Sequence, residues 1–224
     1  MTWIVTQSST MLGTLPADRL DSHYRVLQRE AGVLILAANA STAMFENYES
    51  ATSLRILDLC ERLLDASVRG EGLLDAIAAG LRELVAAIGE DGAAWLTALW
   101  VSGDRLELWS NGRDDLVVFA GERTLVQRCS PRFRIGPIVV TMVGTGPNHA
   151  EEPIERLHVG ERERLRVVVM HRMSDEMSFI PALMGWQRKR GDAEVRELVE
   201  QAHGWVFDRG QKVGLIAGVD LIST

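Results

Sequence analysis

Cysteine is scarce in this sequence. Two occur in 224 residues, Cys60 inside a helical pattern and Cys129 in a polar stretch. With no CxxC pair and no secretory framework, a disulfide scaffold is excluded and a reduced, cytoplasmic setting is expected. Long apolar runs are lacking too, and nothing approaches the ~20 residues of a membrane span. Residues 1–7 have neither the charged nor the apolar region of a secretory signal and read as a first strand. There is no Lys/Arg run, and the net charge of −7 argues against a nucleic-acid or anionic-membrane binder. The five histidines show no metal-ligand spacing. Without repeats, low-complexity tracts or a linker, residues 1–224 read as a single domain.

What is present is the composition of a folded soluble chain, 46% hydrophobic and 25% charged. Alternation through Gln7 predicts a strand, followed by a loop over residues 8–20 around Gly13 and Pro16. Residues 21–28 form a second strand, with a turn at 29–32. Residues 33–38 are continuously apolar, as in a strand covered on both faces, and stop at Asn39. From Met44 the period becomes helical and persists to about Gly70, and residues 72–88 form a second helix. Strands follow over 95–101 and 105–109, joined by the hairpin signal at Ser102-Gly-Asp104. Further strands are predicted at 116–119, 124–127, 138–143 and 165–170, with Asp114-Asp115 as a solvated turn. Ser174 is a candidate N-cap for a third helix. A fourth carries Val195, Leu198, Val199 and Ala202, and residues 213–219 close the chain as a strand. Hairpins require antiparallel pairing, and the helices come in pairs. The fold class is therefore α+β, or layered α/β/β/α, and not a doubly wound parallel sheet.

The turns between these elements resemble those of the metal-dependent PPM-type (type 2C) serine/threonine protein phosphatases, over nearly the whole chain. Ala38-Asn-Ala-Ser-Thr-Ala43 stands where that family has Ala-Asp-Gly-x-Gly-Gly, and Ser50-Ala-Thr52 where it has Gly-x-x-Ala-Ser. Gly92-Ala-Ala94 matches a Gly-Thr-Thr strand start. Gly103-Asp-Arg-Leu106 and Gly112-Arg-Asp-Asp115 match a Gly-Asp-Arg-Leu hairpin and a Gly-Asp-Ser-Arg turn, with Gly121 following. Gly160-Glu161, Val167-Val-Val169 and Met170-His-Arg-Met173 echo the Gly-Asp, the apolar strand and the Ser-Asp-Gly-Leu. Ser174-Asp-Glu-Met177 falls on the helix after it, and Arg209-Gly-Gln-Lys212 on the terminal Asp-Asn-x-Thr. The resemblance implies a four-layer α/β/β/α sandwich of two antiparallel sheets flanked by helices.

That family hydrolyses phosphoserine and phosphothreonine with two manganese or magnesium ions, which need clustered carboxylates and activate a bridging water. On the resemblance, Asp21 matches one metal aspartate. Asn39, beside Ala40, replaces another, keeping an oxygen but losing the charge. His171-Arg172 stands in place of Asp-Gly, and Arg209 or Gly210 in place of the last aspartate. The phosphate-binding arginine falls near Pro16, with Arg19 displaced from it. An arginine a few ångströms from a dication is repulsive by ~4 kcal/mol or more at an effective dielectric of about 20. The resemblance therefore implies a degenerate cleft of Asp21, Asn39, Ala40, His171, Arg172 and Arg209, with no metal expected. The protein would be a pseudophosphatase acting as a binding or regulatory module for a protein partner, such as a kinase or phosphoprotein. Arg172 and Arg209 are its candidates for holding a phosphate or acidic group. The alternative is an active, divergent phosphatase using manganese or magnesium on Asp21, Asn39, Asp175 and Asp208. Against it, Asp175 reads simply as a first-turn helix residue and Asp208 as a turn residue. Trp186 beside Gln187-Arg-Lys-Arg190 is a candidate partner surface.

Overall fold

The computed structural model describes residues 1–12, 21–42, 52–67, 69–88, 92–111, 114–128, 133–135, 138–140, 153–160, 163–172, 179–189, 193–210 and 213–224. The chain divides into two compact units. The first comprises Met1–Trp3, Ala17–Gly112 and Val143–Val159, and the second Ile4–Pro16, Arg113–Met142 and Gly160–Thr224. Each is built on a five-stranded sheet and a pair of helices.

In the first unit the strands are β2 (Asp21–Arg29), β3 (Gly32–Thr42), β4 (Gly92–Ser102), β5 (Arg105–Ser110) and β10 (Glu155–His158), in the order β10-β5-β4-β3-β2. All neighbours pair antiparallel. Helices α1 (Thr52–Ala66) and α2 (Leu73–Ile88) pack on this sheet. Ile56, Leu57, Cys60 and Leu64 of α1, with Leu73, Leu74, Ile77 and Leu81 of α2, meet Leu34, Leu36, Leu96 and Trp100 in one core. These are the apolar positions of the two helical stripes and of one strand face. Full burial of each large side chain contributes ~1.5–3 kcal/mol. At the sheet edge, Arg25 and Arg29 of β2 reach Asp58, Glu61 and Asp65 of α1.

In the second unit β1 (Trp3–Leu12), whose first residue belongs to the first unit, lies at the edge. The order is β1-β12-β11-β6-β7, with β6 (Asp114–Ala120), β7 (Arg123–Arg128), β11 (Arg164–Arg172) and β12 (Val213–Ser223). The pairs β11–β12, β11–β6 and β6–β7 are antiparallel. A separate hairpin joins β8 (Phe133–Ile135) and β9 (Ile138–Val140). Helices α3 (Ile180–Lys189) and α4 (Val195–Asp208) cover the five-stranded sheet through Phe179, Ile180, Leu183, Leu198, Val199, Ala202 and Val206. Gly218 of β12 permits the close approach of α4, because a Cβ there would sit 2.5 Å from Val195. No helix among the described residues is long and apolar enough to cross a membrane.

Two antiparallel sheets flanked by helices are the predicted class, but several boundaries differ. β1 continues through Ser8–Thr10 to Leu12, where a loop is predicted. Its polar residues still alternate, half-buried and exposed, as an edge strand allows. β3 does not stop at Asn39 but runs to Thr42, because β2 pairs with it as far as Ala40 and β4 as far as Thr42. α1 ends at Ala66, and the Gly70 amide donates to Ser67 Oγ. β8 and β10 go unpredicted: each is too short to show a period. Described helix α3 begins at Ile180, and residues 173–178, with Ser174 and Asp175, lie outside the described residues. So do residues 43–51, 141–152 and Cys129.

Candidate functional site

On the first unit, the β2–β3 register sets Asp21 opposite Ala40 and Ser22 opposite Asn39. Asp21, Asn39 and Ala40 are thus brought together at one end of a strand pair. Only the backbone of Asp21 is described. Asn39 also stands opposite Trp95 of β4 and is 2% exposed. Near it in sequence register, His23 Nδ1 lies 2.5 Å from Ser53 Oγ at the start of α1. Thr97 and Ser110 share a hydroxyl hydrogen bond of 2.8 Å, and the Leu96 amide donates to Asn111 Oδ1 at 2.8 Å. Among the described residues, the buried polar side chains of this unit are Ser22, Asn39, Thr52, Ser53, Thr97, Ser110 and Asn111. All are neutral. Burying a charge without a partner costs far more than burying a bonded hydroxyl or amide, and among the described side chains this end of the sheet is polar with no buried charge.

On the second unit, His171 and Arg172 close β11, with a register shift between them. His171 faces Asp114 directly across the β11–β6 pair, and its Nδ1–H donates to Asp114 Oδ1 at 2.9 Å. The two are 1% and 3% exposed. Asp114-Asp115 is therefore no solvated turn: both residues are buried in β6. The sequence hid this because the partner that makes burial of Asp114 tolerable lies 57 residues away. Arg172 pairs in register with Val213, the first residue of β12, and only its backbone is described. Arg209 caps α4 four residues earlier in the chain. Its guanidinium lies 4.3 Å from the centroid of the Trp205 ring and donates to Trp205 O at 3.4 Å. A cation there complements the helix C-terminal carbonyls. Asp208 is not a turn residue but the last residue of α4, and it is exposed.

The second unit holds another buried charge cluster that its sequence does not announce. Arg166 Nε donates to Asp220 Oδ1 at 2.7 Å, its Nη1 to Gln187 Oε1 at 3.0 Å, and its Nη2 to Ala193 O at 2.5 Å. Arg164 adds a second guanidinium on Asp220 Oδ2 at 2.5 Å. One arginine thereby ties β11, β12, α3 and the α3–α4 connection together. It is a structural hub, with each described partner satisfied.

Two hard divalent ions need several anionic oxygens in near-octahedral array. The described donor set does not fit them. Asn39 offers a neutral amide, His171 is oriented by Asp114, and Asp220 is held by two arginines. A carboxylate-oriented imidazole suits a softer metal. Yet among the described residues no three His, Cys, Asp or Glu side chains gather to hold an ion. Asp175 and the side chain of Asp21 lie outside that statement.

No family model matches the sequence, and no curated protein matches it. Solved structures do. The catalytic domain of the serine/threonine protein phosphatase PstP, in complex with 2 manganese ions, is 17% identical with a TM-score of 0.67, over 100% of both chains. An S. agalactiae serine/threonine phosphatase is 10% identical at a TM-score of 0.70, over 99% of this chain and 100% of that one. Staphylococcus aureus Stp1 is 10% identical at 0.68, over 99% and 95%. At these identities the likeness is one of fold, and residue roles do not transfer with it. The chain has the fold of the PPM-type serine/threonine phosphatases.

Proposed function

We propose that this chain is a catalytically impaired phosphatase-fold module, acting in the cytoplasm as a binding or regulatory subunit in a phosphorylation-linked system. The observation that carries the reading is the His171–Asp114 pair. Where the resemblance puts a metal aspartate, this chain has an imidazole whose Nδ1 is already bonded to a buried carboxylate. The neutral set around Asn39 supports it, because among the described side chains there no buried charge is ready to offset a dication. The partner is a protein, a kinase or a phosphoprotein, and the scaffold supplies shape where the family supplies hydrolysis.

The measurement is phosphate release from p-nitrophenyl phosphate with millimolar Mn²⁺ or Mg²⁺, alongside calorimetric titration of each ion. The expected outcome is no turnover above buffer and no binding heat. Manganese-dependent release that disappears in Asp21→Ala would overturn the reading and favour an active enzyme using Asp21, Asn39, Asp175 and Asp208.

A further inference from the structure

We propose that the cavity between α3 and the β6–β7 turn of the second unit binds a phosphoserine or phosphothreonine residue of a partner peptide. The cavity holds about 500 Å³, a volume typical of sites that take small ligands. α3 lines it with Arg188 and Lys189 of its last turn, and the β6–β7 turn lines it with Glu122. All three are exposed. Phe119 and Met184 give it an apolar face. Phe119 stands opposite Arg166 in the β11–β6 register, and His171 lies five residues further along β11. At ~3.3 Å per residue that is a separation of ~16 Å along the strand. The cavity is therefore distinct from the positions where the resemblance puts a metal cleft. The stretch Trp186-Gln-Arg-Lys189 is split by the fold. Trp186 packs edge-on against Phe179, ring centroids 5.7 Å apart, while Gln187, Arg188 and Lys189 line the cavity.

Gln187 sets the ligand's chemistry. It is 7% exposed, lines the cavity, and accepts from Arg166 Nη1 through Oε1 at 3.0 Å. A guanidinium only donates, so this bond fixes which end of the amide is oxygen. The Nε2 end keeps two N–H groups, and the described residues supply no acceptor for them. A buried donor left without an acceptor is costly, so one arriving with a ligand is favoured. Basic residues in a last turn also complement the helix carbonyls, but that role leaves the Gln187 donors unanswered. Donors beside two cations select an oxyanion. In a chain of net charge −7, Arg188 and Lys189 against Glu122 give this cavity one positive charge in excess. A phosphate monoester brings a charge of about −2 and three acceptor oxygens, more than a carboxylate offers to an arginine fork and further donors. The volume selects a peptide over the free ion. Phosphate alone would leave most of the cavity empty, whereas Phe119 and Met184 face the chain that bears it.

Fluorescence anisotropy of a short labelled peptide with one central phosphoserine, titrated with the full chain, tests this. Binding at about 100 μM or tighter is expected. The unphosphorylated peptide should bind about tenfold more weakly or not at all, and inorganic phosphate should compete only at millimolar concentration. An Arg188→Gln/Lys189→Gln variant should weaken the phosphopeptide by about tenfold. Glu122→Gln should instead tighten it by roughly twofold, because a like charge near the phosphate is removed. Gln187→Glu keeps an oxygen for Arg166 but turns the donor end into an acceptor, and should abolish binding. Equal binding of the two peptides, or none at about 1 mM, overturns the proposal. So does phosphopeptide binding that Arg188→Gln/Lys189→Gln leaves intact, since the peptide then sits elsewhere. Inorganic phosphate as potent as the phosphopeptide overturns the peptide assignment. Should the double variant lose the wild-type circular dichroism, Glu122→Gln decides: tighter binding supports the site, and unchanged or weaker binding sinks it. Phosphate release reads the cleft and anisotropy reads this cavity, so either reading can fail without the other.

Discussion

Cys60 sits on the core face of α1, and burial pushes its thiol up from the ordinary 9.0 to about 12. The sign follows directly. The unfolded thiol loses its proton near pH 9, while the folded one keeps it to about 12. The stabilisation is therefore complete below pH 9 and is lost as the pH rises towards 12, by at most ~4 kcal/mol. Guanidinium melts at pH 8, 9.5 and 11 should show a decline that Cys60→Ala lacks, from a lower starting stability. Parallel declines would rule the thiol out as its source. The His171–Asp114 pair makes a second prediction at this scale. Replacing His171 with Leu leaves a buried carboxylate without its imidazole and should cost about 3 kcal/mol in urea unfolding. His171→Leu with Asp114→Leu should cost less than the sum of the single changes, because no stranded charge remains. Additive losses would mean that the two groups are not coupled. Of the candidate site residues, Asn39 and His171 are singled out in the sequence by the resemblance alone. Asp114 is not, because its environment is set by a cross-strand partner rather than by its neighbours.

Between α1 and α2 the chain turns at Gly70, whose φ of +71° is left-handed. A Cβ there would meet the Trp100 ring at 2.5 Å, so neither backbone nor space admits a side chain. Gly70→Ala should destabilise by about 2 kcal/mol or more, from strain plus the displaced indole. Trp100 fluorescence should shift with it, and an unchanged spectrum with unchanged stability would refute the contact. Element identity was readable where a period ran long enough. The helical periods of α1, α2 and α4 mark their core-facing sides, although Leu54 of the α1 stripe is exposed and Leu63 and Leu84 are half-buried. Boundaries were not, because they depend on pairing. Asn39 looks like a stop from its polarity, yet pairing with β4 carries β3 on to Thr42. β1 outlasts its apolar residues for the same kind of reason: the edge of a sheet tolerates Ser and Thr on both faces.

At the scale of the whole molecule, a ligand that binds only the folded state raises its stability by RT ln(1 + L/Kd), where L is the free ligand concentration. If the two-metal chemistry is lost, millimolar Mn²⁺ should leave the melting temperature where metal-free buffer puts it. A rise would contradict the proposed function together with the binding measurements. By itself the sequence determined the α+β class, the paired helices and the core-facing stripes, since hydrophobic period and turn chemistry act locally. It also marked Asn39, His171 and Arg209 as substitutions against a phosphatase pattern. Only the tertiary structure decided which strands are neighbours, that the chain passes from one sheet to the other between Ser110 and Asp114, and where each buried charge finds its partner. Asp114 with His171, and Asp220 with Arg166, are joined across 57 and 54 residues. Such pairings are set by strand register, and register is a property of the assembled sheet, written in no short stretch of the chain.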